Sequence, residues 1–275
     1  MQIVECVPNF SEGKDQKVID QIVSSISSVP EVEVLHRTSD TDHNRSVITF
    51  IGPAKNVCEA AFQATKKASE LIDITNQKGV HPRLGATDVI PLIPLKNITQ
   101  KDLIPHAEAL AKRITSELKI PTHLYEKAAQ TELKKNLANI RLQKPSPDFN
   151  CNSPLKEAGE TTVGVREILI AFNVNLKTNN LKAAKEIAKK IRQPYLKALG
   201  LELQSRNIVQ VSMNLTNYKK VSPLKAFNLI QEEAQKLNTE ILESELIGLI
   251  PKDALPENPE EKIKLKITKN QILNY

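Results

Sequence analysis

The order of strand-like and helix-like segments constrains this chain most, because the same order occurs in each half. Apolar residues that alternate along short segments predict strands, and apolar residues recurring every three or four positions predict amphipathic helices. In the first half the predicted strands cover 2–7, 33–36, 46–51 and 87–93, the helices cover 14–28 and 53–74, and a further helix and strand follow at 100–118 and 122–125. In the second half the strands cover 167–176, 196–203, 208–215 and 240–250, and the helices cover 181–191 and 223–237.

Each half therefore contains a strand, a helix, two strands, a helix and a strand, which is the split β-α-β order of ferredoxin-like units. Helices that are apolar along one stripe pack on one face of such a sheet. We predict an α/β (α+β) protein of two ferredoxin-like subdomains with mixed or antiparallel sheets and helices on one face.

A stretch near the middle interrupts this periodicity. RLQKPSPDFNCNSPLKEAG, residues 141–159, holds three prolines and no apolar period, which is typical of a linker or a binding loop. We predict an N-terminal subdomain over residues 1–145, a linker over 146–159 and a C-terminal subdomain over 160–275. A ligand cleft between the two subdomains is the default expectation.

Composition narrows the class of partner. The net charge is +6, carried by scattered lysines, and the chain has no Trp and only 4% aromatic residues. A stacking surface for single-stranded nucleic acid is therefore not expected, and acidic small molecules are better partners. No apolar run approaches the roughly 20 residues that span a bilayer, so no membrane partner is expected.

The three cysteines favour a reducing compartment. Cys6, Cys58 and Cys151 are far apart and odd in number, which fits neither a disulfide framework nor a zinc site. The first residues, MQIVECVPNFSEG, lack the basic flank of a signal peptide. We expect a cytoplasmic protein.

The first of three polar stretches that end predicted strands is VPNFSEGK, residues 7–14. It could be a turn followed by a helix cap, in which Ser11 or Asn9 accepts from free N–H groups. It could instead direct Asn9 and Glu12 into a binding site.

The second stretch is TSDTDHNRSV, residues 38–47, between two predicted strands. Five candidate site residues fall within six positions of it: Asp40, Asp42, His43, Asn44 and Arg45. A polar hairpin loop would account for it, since Asp and Asn are common there. Carboxylates and a guanidinium so close together could also bind a polar substrate. No second cluster of ligands accompanies it, so we expect no metal.

The third stretch is KGVHPRLGATDV, residues 78–89. Pro82 fixes its own φ and pushes His81 toward an extended conformation, so the histidine is held on a stiff segment. A single histidine is often structural, but Lys78, Arg83 and Asp88 surround this one, and an ordinary imidazole suits proton transfer near neutral pH. The sequence has no G-x-S-x-G elbow and no phosphate-binding glycine loop.

Longer motifs connect the chain to a known family. VECVPNFSEG, D-x-D-H-N-R-S-V, KGVHPRLGATDVIPLIP, LIAFNVNL, VQVSMNLTNY and ELIGLIP together resemble the glutamate formiminotransferases, in order and over almost the whole chain. The resemblance implies transfer of the formimino group from N-formimino-L-glutamate to N5 of tetrahydrofolate, in a homodimer with folate between the subdomains. No segment corresponds to the cyclodeaminase domain of longer members.

The resemblance also implies site residues. The family's catalytic histidine falls on His81, and its folate-contacting segment falls on residues 150–159, ahead of GETTVGVR. There Gly159 and Gly164 match, and Glu160 replaces a usual alanine. The substrate-binding set is completed by residues from this segment and the earlier stretches: Asn9, Glu12, Asp42, Asn44, Lys78, Arg83, Asn150, Thr161 and Thr162.

The chemistry of such a transfer needs one mobile proton. A single imidazole could take it from the attacking nitrogen and return it to the departing one. Asp40 or Asp42 could fix the histidine tautomer or bind the formimino N–H groups, and Arg45 and Arg83 could hold a substrate carboxylate. We therefore expect His81, Asp40 and Arg45 to be catalytic.

Three alternatives remain open from the sequence. The same fold could move a formyl group from 5-formyltetrahydrofolate to glutamate, using the same histidine. It could be a folate-binding or regulatory module without catalysis, or, on charge alone, a nucleic-acid binder, which a titration at two salt concentrations would expose.

Overall fold

The computed structural model describes residues 1–274, and they fall into two compact units. The first unit ends at Glu167 and the second begins at Ile168. The first unit therefore extends past the boundary expected after residue 159, because residues 161–165 form one of its strands. No helix in the described residues is long and apolar enough to cross a membrane.

The first unit is built on one mixed sheet. Its strands are β1 Ile3–Cys6, β2 Asn9–Phe10, β3 Glu33–Asp40, β4 Arg45–Gly52, β5 Thr87–Lys96, β6 Thr122–Glu126 and β7 Thr161–Val165. Its helices are α1 Gln16–Ser27, α2 Ala54–Leu71, α3 Gln100–Leu118 and α4 Leu137–Gln143.

The strand order confirms the ferredoxin-like prediction for this unit. Strand β4 lies between β3 and the position shared by β1 and β2, and β5 pairs on their other side, all antiparallel. If β1 and β2 together count as the first strand of the split β-α-β unit, β3 as the second, β4 as the third and β5 as the fourth, the order across the sheet is 4-1-3-2. Strands β7 and β6 then extend the sheet beyond β5 in parallel, which makes it mixed.

Local sequence explains the helix starts. The Asp15 carboxylate accepts from the N–H groups of Lys17 and Val18 and so caps α1, which is the ordinary role of aspartate at this position. The expectation that Ser11 or Asn9 caps this helix is wrong. The Ser11 hydroxyl instead donates to the carbonyl of Gly85 across 2.7 Å.

Helices α1 to α3 pack on one face of the first sheet, over a core that includes Phe50, Ile90 and Val163. Helix α4 lies on the opposite face, where Ile140 packs against Val89 and Tyr125. Successive side chains of a strand point to opposite faces, so Val89 and Ile90 mark the two sides.

The second unit is a smaller version of the same arrangement. It consists of β8 Ile170–Leu176, α5 Leu181–Ile191, β9 Leu196–Leu203, β10 Ile208–Leu215, α6 Pro223–Lys236 and β11 Ile241–Ile247, followed by β12 Ile250–Pro251, α7 Pro259–Ile263 and β13 Ile272–Leu273. The main sheet has the order β11-β8-β10-β9 and is antiparallel throughout. The ferredoxin-like prediction is confirmed here as well.

Candidate active site

An irregularity in strand β5 sets the position of Asp88. Phe10 pairs with Thr87 and Asn9 pairs with Val89, so the register shifts and Asp88 is the extra residue of a bulge. Bulges re-aim a side chain while the strand continues. The Asp88 side chain is fully buried, and its Oδ1 accepts from the N–H of Leu84 across 2.7 Å.

Two arginines from distant parts of the chain converge on the other oxygen of Asp88. Arg45, the first residue of β4, donates one terminal N–H to Oδ2 across 2.7 Å and its Nε–H to Asn9 Oδ1 across 3.0 Å. Arg141, on α4, donates to the same Oδ2. We call Arg45, Asp88 and Arg141 the arginine triad.

The triad keeps Asp88 ionised. Burial alone would raise the pKa of this carboxyl, but the charges of Arg45 and Arg141 outweigh it and hold the pKa below its ordinary value. Two opposite charges this near favour the ionised form strongly. Asp88 was predicted only as a neighbour of His81, and Arg141 only as part of a linker or binding loop. The triad was therefore not among the predicted sites.

His81 belongs to the segment that Asp88 holds through the N–H of Leu84. Its Nδ1 is 2.8 Å from the carbonyl oxygen of Pro82. A carbonyl can only accept, so Nδ1 carries the hydrogen and Nε2 keeps its lone pair. The rings of His43 and His81 are stacked with centroids 6.0 Å apart.

The surroundings of His81 favour its neutral form. Burial lowers the pKa of the imidazole well below its ordinary value, the charges of Arg45 and Arg141 lower it further, and Asp88 opposes them. Near neutral pH the ring is therefore uncharged, with a lone pair on Nε2, which is the state that a general base requires.

The hairpin that joins β3 to β4 is bound to the segment that carries His81. Asn44, in the left-handed region at φ 45°, accepts from the N–H of Gly13 and donates to the carbonyl of Lys78, each across 3.0 Å. The N–H of Val80 donates to the carbonyl of Asp42 across 3.1 Å. These hydrogen bonds hold the hairpin and the histidine segment against each other.

Several of the predicted catalytic and substrate-binding groups have protein partners. The Arg83 guanidinium donates to the carbonyls of His43 and Asn44, across 2.7 and 3.1 Å. The Glu12 carboxylate accepts from Lys14 N–H, Asp15 N–H and the Gln77 amide, and that of Asp40 accepts from His43 N–H across 2.6 Å. These contacts hold the loops that frame His81. The Lys78 side chain is exposed.

The segment that precedes β7 reaches the same end of the sheet. Gly159 pairs with Gly85, and Thr162 donates its hydroxyl to the carbonyl of Asp88 across 2.9 Å. Gly159 has φ +68°, and a Cβ there would lie 2.5 Å from the carbonyl oxygen of Leu84. A glycine is therefore required at this position.

Three other predicted site residues, one before β7 and two within it, have separate surroundings. Thr161 is buried, Gly164 lies against the ring of Tyr125, and Asn150 is exposed with its side chain accepting from Cys151 N–H. The structure does not bring these three to His81. Glu160 is 2.7 Å from Nε2 of the buried His123.

No metal site accompanies these residues. Among residues 1–274 the structure shows no group of three or more His, Cys, Asp or Glu side chains placed to hold a metal ion. The D-x-D-H spacing in the hairpin therefore corresponds to no metal-binding cluster in the described chain.

Comparison with known proteins gives two consistent matches that together cover most of the chain. The family described as "Formiminotransferase domain, N-terminal subdomain" matches residues 3–166, and "Formiminotransferase domain" matches residues 171–266. The two matches meet close to the boundary between the compact units.

Individual relatives agree with the family match. The chain is 44% identical to a glutamate formimidoyltransferase of Streptococcus pyogenes serotype M1, covering 92% of this chain and 91% of that protein. It is 41% identical to a glutamate formimidoyltransferase of Thermoplasma acidophilum, covering 93% and 90%. A formimidoyltransferase-cyclodeaminase of Mus musculus is 38% identical over 92% of this chain but only 51% of its own length.

Proposed function

The chain belongs to the formiminotransferase family, and we propose that it moves the formimidoyl group between N-formimino-L-glutamate and N5 of tetrahydrofolate, with His81 as the acid–base group. The family match and the names of two relatives that are 44% and 41% identical support a transferase of this type. Tetrahydrofolate is then a co-substrate. We also propose that the protein is a homodimer, as the family resemblance implies.

The reaction sets a simple demand on the protein. The lone pair of tetrahydrofolate N5 attacks the formimino carbon, and a tetrahedral intermediate forms. The proton on N5 must leave, and the glutamate nitrogen must gain a proton as its bond to the carbon breaks. One proton therefore moves between two nitrogens, and no oxidant or further reactant is consumed.

One observation supports His81 as the group that moves this proton: its ring is neutral and carries its hydrogen on Nδ1. Nε2 can take the proton from N5 of the folate. The imidazolium so formed lies near Arg45 and Arg141, which disfavour the extra charge, so it gives the proton readily to the glutamate nitrogen. Such acid–base catalysis contributes about 10²–10⁴-fold to a rate.

We revise one of the two roles expected of Asp40 and Asp42. The carbonyl of Pro82, rather than Asp40 or Asp42, accepts from Nδ1 and so fixes the tautomer. We keep the second role proposed for these two aspartates, binding of the formimino N–H groups. Arg45 acts as a positioning residue through Asp88, and Arg83 holds the hairpin.

The remaining rate enhancement comes from holding two substrates together. Correct placement of two reactants can replace a bimolecular encounter by an effectively intramolecular step. The contacts from Asn44 to Gly13 and Lys78 hold the loops around His81 in one arrangement before substrates arrive.

A donor comparison tests the proposed function. Purified protein is incubated with tetrahydrofolate and N-formimino-L-glutamate, and separately with 5-formyltetrahydrofolate and L-glutamate. The proposal predicts fast turnover of the first pair and at least about tenfold lower kcat/KM with the second. Turnover of the formyl pair alone would show a formyltransferase, and tight folate binding without turnover of either pair would show a binding module.

A further inference from the structure

The arginine triad carries an uncompensated positive charge. Arg45 and Arg141 are 9% and 15% exposed, and both form ion pairs with the one carboxylate of Asp88, which is fully buried. Two guanidinium groups and one carboxylate leave a charge of plus one beside a neutral imidazole. A charge held this far from water is costly unless a counter-charge approaches it.

Arg141 is the member of the triad with an unused donor. Its Nε–H is buried and has no hydrogen-bond partner among residues 1–274. Arg45, by contrast, places its Nε–H on Asn9. Arginine guanidinium groups bind carboxylates through two parallel N–H groups, so an unsatisfied Nε–H is suited to an incoming carboxylate.

The nearby carboxylates of the protein have other partners. Glu12 accepts from backbone N–H groups and Gln77, Asp40 accepts from His43 N–H, and Glu160 is paired with His123. Among the described residues, Asp88 is the one carboxylate within ion-pair distance of Arg141. The missing acceptor is therefore expected from a bound molecule.

We propose that Arg141 binds the α-carboxylate of the amino-acid substrate, so that the arginine triad is the anion subsite of the His81 site. This inference rests on the proposed function. In N-formimino-L-glutamate the α-carboxylate is attached to the carbon that bears the reacting nitrogen. When His81 acts on that nitrogen, the α-carboxylate must lie close by. Arg141 is connected to the His81 segment, because its partner Asp88 accepts from the N–H of Leu84.

The bound carboxylate also changes the state of His81. It offsets the charge of Arg141, which disfavours the imidazolium. The base is therefore stronger in the substrate complex than in the free enzyme. The acidic limb of the kcat profile lies at higher pH than that of kcat/KM, because the first reports the complex and the second the free protein.

Calorimetric titration tests the subsite without turnover. The ligands are L-glutamate, L-glutamine, which lacks the γ-carboxylate, and L-isoglutamine, in which the α-carboxylate is an amide. The parent protein is expected to bind isoglutamine at least about tenfold more weakly than glutamate. Arg141→Gln is expected to bind glutamate at least about tenfold more weakly and to lose the discrimination between glutamate and isoglutamine.

Two further variants keep the result interpretable. Arg141→Lys retains the charge without the planar group and is expected to fall between the parent and Arg141→Gln; it replaces Arg141→Gln if that variant does not fold. Arg113→Gln is the matched control, because Arg113 is a partly exposed arginine of α3 that also pairs with carboxylates, those of Glu59 and Glu117. It is expected to bind all three ligands as the parent does.

Several outcomes would overturn the inference. They are undiminished glutamate binding by the Arg141 variants, discrimination against isoglutamine that persists in them, and no measurable glutamate binding by the parent. If Arg141→Gln raises KM for tetrahydrofolate but not for tetrahydropteroate, which lacks the glutamate tail, Arg141 binds the folate instead. The proposed function has a separate test: it fails if the parent shows no turnover of N-formimino-L-glutamate. The titrations measure binding without turnover, so they decide on the subsite in either case.

Discussion

His81 Nδ1 donates a hydrogen bond to the carbonyl oxygen of Pro82, the residue that follows it, across 2.8 Å. The proline that stiffens this segment thus also sets the tautomer of the imidazole. Because the acceptor is part of the backbone, the tautomer does not depend on the ionisation of a carboxylate. The lone pair on Nε2 is available at any pH at which the ring is neutral.

The first prediction concerns this tautomer. Nitrogen-15 NMR of the protein near neutral pH is expected to show one histidine with its proton on Nδ1 and an imidazole pKa well below the ordinary value. The signal is assigned by its disappearance in His81→Gln. A His81 signal with the proton on Nε2, or one that titrates at the ordinary pKa of histidine, would contradict the account.

The second prediction concerns the pH dependence of kcat/KM. Activity needs neutral His81, so kcat/KM falls as pH drops through the lowered pKa of that ring and is flat above it. Arg45 lowers this pKa and Asp88 raises it. Arg45→Gln is therefore expected to move the acidic limb to higher pH, and Asp88→Asn to lower pH. Shifts of the same sign in both variants would refute the electrostatic explanation.

The third prediction concerns stability. Asp88→Asn removes the one carboxylate that Arg45 and Arg141 share, and loss of a buried partner of this kind costs about 3–5 kcal/mol in the free energy of unfolding. Urea denaturation measures it. Asp20→Asn, which removes an exposed ion pair with Arg37, is the control and should change stability little.

The same residue gives stability a pH dependence. The pKa of Asp88 is lowered on folding, so its contribution is present above the pKa of an unfolded aspartate and is lost as pH falls. The parent should lose stability toward acid more steeply than Asp88→Asn. Parallel curves, or a variant as stable as the parent at neutral pH, would show that the triad adds nothing to the fold.

The fourth prediction concerns Gly159. Its left-handed φ and the closeness of Leu84 mean that Gly159→Ala should destabilise the fold by about 1–3 kcal/mol and lower kcat, because Gly159 pairs with the end of the His81 segment at Gly85. Lys156→Ala, an exposed change in the same loop, is the control. Retention of parental stability and kcat in Gly159→Ala would mean that the backbone there can move freely.

Much of the fold could be predicted because burial imposes a period on the sequence. Helices 100–118 and 181–191 and strands 196–203 and 208–215 coincide with α3, α5, β9 and β10. In these elements one side faces the core, so apolar residues recur at the period of a helix or a strand. The split β-α-β order followed from their sequence and was confirmed in both units.

Helix α4 was missed because it is too short to show a period. Its seven residues make about two turns, and the prolines that follow it favour a loop. One signal was present: Asn136 stands where an N-cap is expected, and its side chain accepts from the N–H of Ala138. Asparagine is among the preferred residues there.

The arginine triad could not be predicted from local sequence. In the sequence, Arg141 is 53 positions from Asp88 and Arg45 is 43 positions from it. Only the order of the strands in the sheet brings these three residues together. Asp88 also depends on a bulge that periodicity cannot show. The stiff and charged surroundings of His81 are encoded next to it in the chain, so it could be proposed from the sequence, and its catalytic role stays a prediction.

The role of His81 as proton carrier is tested most directly by the turnover of His81→Ala with N-formimino-L-glutamate and tetrahydrofolate. His106→Ala, which changes a histidine of α3, is the control. We expect kcat to fall about 10²–10⁴-fold in His81→Ala, whereas calorimetric binding of L-glutamate and tetrahydrofolate is retained. His106→Ala is expected to resemble the parent. A His81→Ala protein whose kcat stays within a few-fold of the parent would contradict the assignment of this imidazole as the proton carrier.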